Sequence, residues 1–509
     1  MKPVVLIVLD GWGYSESGKD NAIAAAKTPF WDYLWNTYPH TVLHASEEPV
    51  GLPAGQMGNS EIGHMTIGSG KVIATDLVRI NNAIASGEFD TNPAFTKLFE
   101  HVQQNNSVLH IQGLVSSGGV HSHHDHLFAF IRAAKKAGVT KIVVHAFTDG
   151  RDTPPQSAAE YLKELEDVLD DTGLDIGHIA TVSGRFYAMD RDNNWDRLAK
   201  AEAALFECKG KVCTAQKPSQ VMATLYKDGI LDEHAEPLVF LDDNGKGYPI
   251  SQNDGVFFFN FRADRARMLS KKMMEQAEEK NLCFVTLTQY EKDTGAIVAF
   301  GPDEIETTLA EQVSLAGMKQ AHIAETEKYP HATYFLNGGR EKPHEKEEFI
   351  MVQSRKDVPT HDLAPKMRAE GIAAKAIEQL EQGVEFIFIN FANADMVGHT
   401  ANVPAIIEAV EEVDTQLKRV VEKTLQLHGA VFITSDHGNA ELNIDPITGE
   451  KHTAHTTNLV PGLLTIENKT LHEGTLADVA PTILELLEIT KPAPMTGNSL
   501  LTSSHPSPS

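Results

Sequence analysis

Asp436 and His437 stand side by side after the apolar run 431–434 and before Gly438. An Asp-His dipeptide alone more often makes turn hydrogen bonds than holds a metal. Here it falls at the carboxyl end of an expected buried parallel strand, where open α/β sheets place their ligands. Gly438 allows a tight turn and a close approach. The run 4–9 ends the same way, in Asp10-Gly11. Asp395 and His399 are four apart, so one helical turn would put both on one face. His455 adds an imidazole from the loop Thr453-Ala454-His455-Thr456. These three carboxylates and three imidazoles are enough for two metals. The mixed oxygen and nitrogen set suits zinc or manganese better than magnesium or calcium. Paired ions about 3.5–4 Å apart serve in-line phosphoryl transfer. Ser60 is the natural nucleophile, since coordination lowers the pKa of a hydroxyl. As a rival role, Asn59 or Ser60 could cap the helix after the glycine-rich loop 51–58, whose free N–H groups suit an anion.

A second set is cationic. Arg262 and Arg265 lie at i and i+3 after an expected strand, and Arg151, Arg185 and Arg191 lie in polar loops. Planar guanidinium groups match phosphate and carboxylate with two hydrogen bonds. A single arginine is usually only a solvated charge. Five near strand ends, in a chain of net charge -26, read as a focused anion site.

These residues need strands to position them. Strands are expected at 4–9, around 42, and at 108–115, 141–147, 176–182, 256–261, 284–287, 320–324, 385–391 and 431–434. Helices are expected at 21–35, 157–170, 195–207, 307–316, 367–381, 404–426 and 476–487. The metal-type residues come from both chain ends and the arginines from the middle. That distribution predicts a discontinuous metal-binding domain, 1–76 with 307–509, and an inserted substrate-binding α/β domain, 77–306.

Composition narrows the class. The acidic balance argues against a nucleic-acid partner, whose protein footprint is basic. No apolar run reaches the roughly 18 residues of a membrane span, and the N-terminal run reads as a core strand rather than a signal peptide. Cys208, Cys213 and Cys283 are too few for a disulfide framework, which favours a reducing, cytoplasmic setting. The Ser-Pro tail 503–509 reads as disordered.

The motifs combine into a resemblance. Asp10-Gly-Trp-Gly, QMGNSEIGH (56–64), GGVHSH (118–123), DGRDTPP (149–155), SGRFYAMDRD (183–192), FNFRADRAR (259–267), TEKYPHATYFLNGG (326–339), ADMVGHT (394–400) and SDHGNAE (435–441) together resemble cofactor-independent phosphoglycerate mutases. The similarity runs over about residues 3 to 500 in the family's order. It implies an alkaline phosphatase-like three-layer α/β/α domain with an inserted α/β domain. It also implies a monomer and a cleft that closes over small phosphoglycerate substrates without 2,3-bisphosphoglycerate. Two manganese ions are implied, with magnesium, cobalt or zinc as alternatives. By motif, Asp395, His399 and His455 would hold one ion, and Asp10, Ser60, Asp436 and His437 the other. Ser60 would become phosphoserine. His121, Arg151, Asp152, Arg185, Arg191, Arg262, Arg265 and Lys328 would bind phosphoglycerate, with Asp152 the acid/base for its hydroxyls and Lys328 polarising the phosphate. The chain departs from the family's usual Pro at Ala394 and Ala263 and its usual Gly at Ala401. The runner-up is a phosphohydrolase or phosphopentomutase on the same core. A catalytically silent metal-binding scaffold would instead tolerate Ser60→Ala.

Overall fold

The strand Val4–Leu9 is buried throughout because each face feeds a different core. Val5, Ile7 and Leu9 pack with helices Ala369–Glu381 and Val403–Gln426; Val4, Leu6 and Val8 pack with Ile67 and helix Val479–Leu486. A period-2 strand that is apolar on both faces must lie between two helical layers. The computed structural model describes residues 2–214 and 216–502. They form two units, one from the two chain ends up to Thr75 and from Glu304, the other Asp76–Asp303.

The sheet of the first unit has the order Glu347–Val352, Gln320–Glu325, Phe386–Phe391, Val4–Leu9, Ala430–Thr434, Val460–Leu464, His40–His44, Gly474–Thr475. Its first five strands are parallel, and Val460–Leu464 runs antiparallel to both neighbours. Three adjacent strands therefore deliver their carboxyl ends together, at Phe391, Leu9 and Thr434.

The second unit is also built on an eight-stranded sheet, in the order Ile297–Phe300, Cys283–Thr288, Gly255–Phe258, Leu109–Leu114, Lys141–Thr148, Ile176–Gly184, Leu238–Phe240, Lys211–Cys213. All its pairings are parallel except Ile176–Gly184 with Leu238–Phe240. Phe257 and Val144 face one core, Phe258 and Phe147 the other. The fold is α/β, with helices on both faces of each sheet.

The helix expected over 21–35 is two helices, Ala22–Ala25 and Pro29–Thr37. Pro29 disfavours a helical Thr28, which sits at φ -118 and ψ 58, so the chain restarts with proline at the first helical position. Helix 367–381 begins at Ala369, and 476–487 opens with a 3-10 turn before Val479. The tail 503–509 lies outside the described residues. Among the described residues, no helix is long and apolar enough to cross a membrane.

Candidate active site

Asn59 takes the capping role at helix Ser60–Ser69: its Oδ1 accepts the Ile62 N–H at 2.9 Å. Ser60 is thereby the first helical residue with its hydroxyl free to point away. Its Oγ lies 2.7 Å from Lys328 Nζ, 2.9 Å from His437 Nε2 and 3.5 Å from Asp10 Oδ1. Lys328 follows strand Gln320–Glu325 and also donates to Asp10 Oδ1 at 2.7 Å and Asp395 Oδ2 at 2.6 Å. One ammonium thus joins the ends of neighbouring strands to the serine. Burial alone would lower the Lys328 pKa, but Asp10 and Asp395 outweigh it and raise it. Burial, reinforced by Asp436, raises Asp10. Asp395 feels the same desolvation but is held well below the carboxylate range by Lys328 and by hydrogen bonds from His399 and His455.

Asp395 lies in the short helix Asn393–Gly398 and His399 at its C-cap, so the four-residue spacing does bring them together. His399 Nε2 and His455 Nε2 are each 3.2 Å from Asp395 Oδ1 and 3.2 Å from one another. His399 Nδ1 donates to the Thr453 carbonyl at 2.8 Å, and His455 Nδ1 to the Gly58 carbonyl at 2.9 Å. In the neutral rings both Nε2 atoms are therefore lone pairs converging on a carboxylate. That arrangement needs a cation, and anchoring the far nitrogen on a carbonyl is the usual support of a metal-ligating histidine. A proton is the competing occupant. The Asp395 hydrogen bond raises His399, and Asp395 raises His455 against its own burial.

The second trio repeats the pattern. His437 Nδ1 faces the Gly438 carbonyl at 3.2 Å, which leaves Nε2 toward Ser60, Asp436 Oδ2 (3.5 Å) and Asp10 Oδ1 (3.6 Å). Asp436 is held low: His437 and His64 outweigh its desolvation, and its buried Oδ2 has no hydrogen-bond partner. Donor chemistry and convergence fit a divalent ion in each half. The expected ligands Asp10, Ser60, Asp395, His399, Asp436, His437 and His455 all lie in this one cluster.

Several supports were not legible as such. His64, within the quoted QMGNSEIGH, donates to the Ser60 carbonyl at 2.8 Å, and its Nε2 accepts from Asn390, which also donates to Asp10 Oδ2 at 2.8 Å. Asn439 donates to Asp395 Oδ1 at 2.9 Å. Glu441 accepts from Gly13 N–H, Asn439 N–H, Thr456 Oγ1 and Asn458 Nδ2. Gly13 and Gly438 both press on this carboxylate, and a Cβ at either would overlap it. Close approach rather than a left-handed turn is what Gly438 provides. A signal existed for Glu441, an acidic residue inside the quoted SDHGNAE, but nothing local tells a latch from a ligand.

The second unit carries the cationic set. Arg185 is 1% exposed, and its Nη1 donates to Asp149 and to Asp152 Oδ2 at 2.6 Å each. Asp149 also accepts the Arg151 and Asp152 N–H groups and the Ser116 hydroxyl, so it fixes the DGRD loop. His121 Nε2 is 3.9 Å from Asp152 Oδ2 and its Nδ1 is 3.5 Å from Asp264. Burial, aided by Arg185, pushes His121 down to about 4, so the ring is neutral at pH 7. Asp264 gathers Arg191 and Arg262 at 3.1 Å each. Arg265 donates to the Met189 carbonyl at 3.2 Å, and its pKa is lowered by burial and by Arg185, Arg191 and Arg151. Arg151 lies on the rim, 3.5 Å from Glu233.

Comparison with known proteins finds two family models along the chain. Residues 80–292 match the family model described as BPG-independent PGAM N-terminus, and residues 289–481 match type I phosphodiesterase / nucleotide pyrophosphatase. The chain is 46% identical to the 2,3-bisphosphoglycerate-independent phosphoglycerate mutase of Clostridium acetobutylicum, covering 98% of this chain and 99% of that one. It is 45% identical to that of Clostridioides difficile over the same shares. A crystal structure of Leishmania mexicana phosphoglycerate mutase at low cobalt concentration is 29% identical, with a TM-score of 0.55 over 98% of each chain. Identity at this level along the whole length, insertion included, makes the chain a member of the 2,3-bisphosphoglycerate-independent phosphoglycerate mutases, enzymes that interconvert phosphoglycerates.

Proposed function

We propose that the chain interconverts 3-phosphoglycerate and 2-phosphoglycerate through a phosphoserine on Ser60. The observation that carries this reading is the Ser60 hydroxyl, free of its capping role and 2.7 Å from the Lys328 ammonium. Asp395, His399 and His455 would hold one divalent ion, and Asp10, Ser60, Asp436 and His437 a second, with manganese first and magnesium, cobalt or zinc as alternatives. When bound, such ions polarise the phosphoryl group and favour the serine alkoxide.

In the first half-reaction Ser60, entering as the alkoxide, bonds through Oγ to phosphorus, the bond from phosphorus to the substrate's 3-oxygen breaks, and Asp152, entering protonated, gives its proton to the leaving alkoxide; both states are restored by the return step. Lys328 stabilises charge developing at Oγ. Glycerate stays held by its carboxylate, for which Arg191, Arg262, Arg265 and Arg151 supply matching donors, and it reorients. Arg185 orients Asp152 through their 2.6 Å contact. The 2-hydroxyl then gives its proton to Asp152 and attacks phosphoserine, the bond to Oγ breaks, and 2-phosphoglycerate is released. His121, neutral, offers one donor and one acceptor to the hydroxyls. No 2,3-bisphosphoglycerate is needed, because the phosphoryl group returns to the same glycerate.

Acid quenching after mixing with 3-phosphoglycerate should place one phosphate on the Ser60 peptide, read by mass spectrometry. Ser60→Ala should lose both that phosphate and turnover, with the fold intact. Full turnover without the phosphopeptide would overturn the intermediate. The phosphodiesterase match over 289–481 favours one rival, hydrolysis of the same phosphoserine. Free phosphate and glycerate as main products would select it.

A further inference from the structure

The second unit holds a cavity of about 840 Å³ that none of the five arginines lines. Small-molecule sites occupy roughly 300–1,000 Å³. Its walls come from helices Trp195–Glu207 and Pro218–Lys227, the end strand Lys211–Cys213 and the segment 229–238. Leu225 and Leu238 in the lining are buried, whereas Ile230 and Leu231 are 37% and 38% exposed. The apolar lining thus continues from the core out to solvent. The charged part of the lining is cationic, with Lys200, Lys209 and Lys211 against Glu236 alone. Lys200 meets Glu236 at 2.9 Å, and Lys209 meets Glu207. Among the described residues the Lys211 ammonium has no ion-pair or hydrogen-bond partner. A positive rim around an apolar cavity, in a chain of net charge -26, selects an anion with an apolar body.

The wall segment 229–238 has a second face, turned to the substrate loops. The Asp232 carbonyl accepts the Thr148 hydroxyl at 2.7 Å, the Ala235 carbonyl accepts the Gly184 N–H at 2.7 Å, and Glu233 meets Arg151. A Cβ on Gly150 would come within 2.9 Å of Asp232 Cβ, and one on Gly184 would overlap the Glu233 carbonyl. The DGRD loop and the backbone leading into Arg185 therefore rest directly on this segment. His234, which lines the cavity, lies against Phe186 with ring centroids 4.9 Å apart.

We propose that this cavity binds a small amphiphilic anion, its apolar body against Ile230 and Leu231 and its charged head at Lys211. Occupancy fixes the segment 229–238 and so shifts phosphoglycerate binding. This second step rests on the reading that Arg151 and Arg185 serve the substrate.

The test titrates decyl sulfate, below its micelle concentration, into the full chain by calorimetry. Decyltrimethylammonium supplies the same chain with the opposite charge. Wild type should bind one decyl sulfate and should bind the cation at least about tenfold more weakly, the worth of one charge-assisted hydrogen bond. Lys211→Glu should remove that preference, and Ile230→Asp should weaken the sulfate by about tenfold. Unfolding midpoints equal to wild type establish that both variants fold. Saturating decyl sulfate should change the KM for 3-phosphoglycerate in wild type and not in Lys211→Glu. Equal affinity for anion and cation, or unchanged affinity in both variants, would overturn the site. Binding lost in Arg262→Ala but kept in Lys211→Glu would place the anion in the arginine cluster and overturn the site as well. Binding lost in both cavity variants, with KM unmoved in wild type, would overturn the coupling. Calorimetry does not depend on Ser60, so failure of the site is told apart from failure of the phosphoserine reading.

Discussion

The Ser60 cluster and the arginine cluster are built in opposite ways. The first stands on three adjacent strand ends, with Asp10, Asp436 and His437 at 0% exposure and Lys328 at 4%. Its carboxylates and lone pairs converge before any ligand arrives. The second stands on loops, and its Arg151, Arg191 and Arg262 side chains are 54%, 44% and 51% exposed. Water screens such pairs strongly, so they cost little to break and re-form around a substrate. Preorganised charge speeds a chemical step, whereas exposed charge captures and turns a ligand.

Lys328→Met attacks the preorganised side and should cut kcat by about 10²–10³-fold with a smaller change in KM. A KM effect alone in steady-state assays would erase the contrast. Arg262→Ala attacks the other side. It should raise KM by about tenfold, the worth of one charge-assisted hydrogen bond, with kcat within a few-fold. Added salt should raise KM for the wild type more than for the variant.

How much of this contrast could be read from the residues follows from the same physics. The apolar runs ending in Asp10 and Asp436, and the helical spacing of Asp395 and His399, are local patterns and stand out in the chain. The contact of His64 with Asn390, that of Asn390 with Asp10 and the hold of Glu441 on Gly13 join residues hundreds of positions apart, so no local pattern carries them. Asp264 was hidden inside the arginine motif: its value comes from drawing Arg191 toward Arg262. The Thr28-Pro29 break was legible in principle, but the apolar period running across it dominated.

The regions should also differ in pH response. Glu325, at the end of the strand before Lys328, is pushed up to about 7 by burial, and its Oε1 lacks a hydrogen-bond partner. Its folded-state pKa lies above the ordinary 4.5, so its contribution is fully present below that pH and is lost as pH rises through 7. The loss should be on the order of 2–3 kcal/mol. Glu325→Gln should flatten the unfolding midpoint across that window. An unchanged slope would place the pH dependence elsewhere. The smallest effect is expected beside His399. Ala401 is buried at φ 47, a left-handed conformation that glycine adopts freely. Ala401→Gly should stabilise by about 0.5–1 kcal/mol in denaturant titration.

The central strand Val4–Leu9 has one further consequence, for the order in which the molecule can be made. Its two neighbours are Phe386–Phe391 and Ala430–Thr434, so during synthesis this strand waits until residues 386–391 are made before either edge is covered. The second unit, Asp76–Asp303, is complete well before then and can fold as a unit during synthesis. The nascent chain thus holds a finished arginine cluster while Ser60 still lacks Asp395, Asp436 and His437. The Ser60 cluster is complete only once His455, which meets Asp395, has been made.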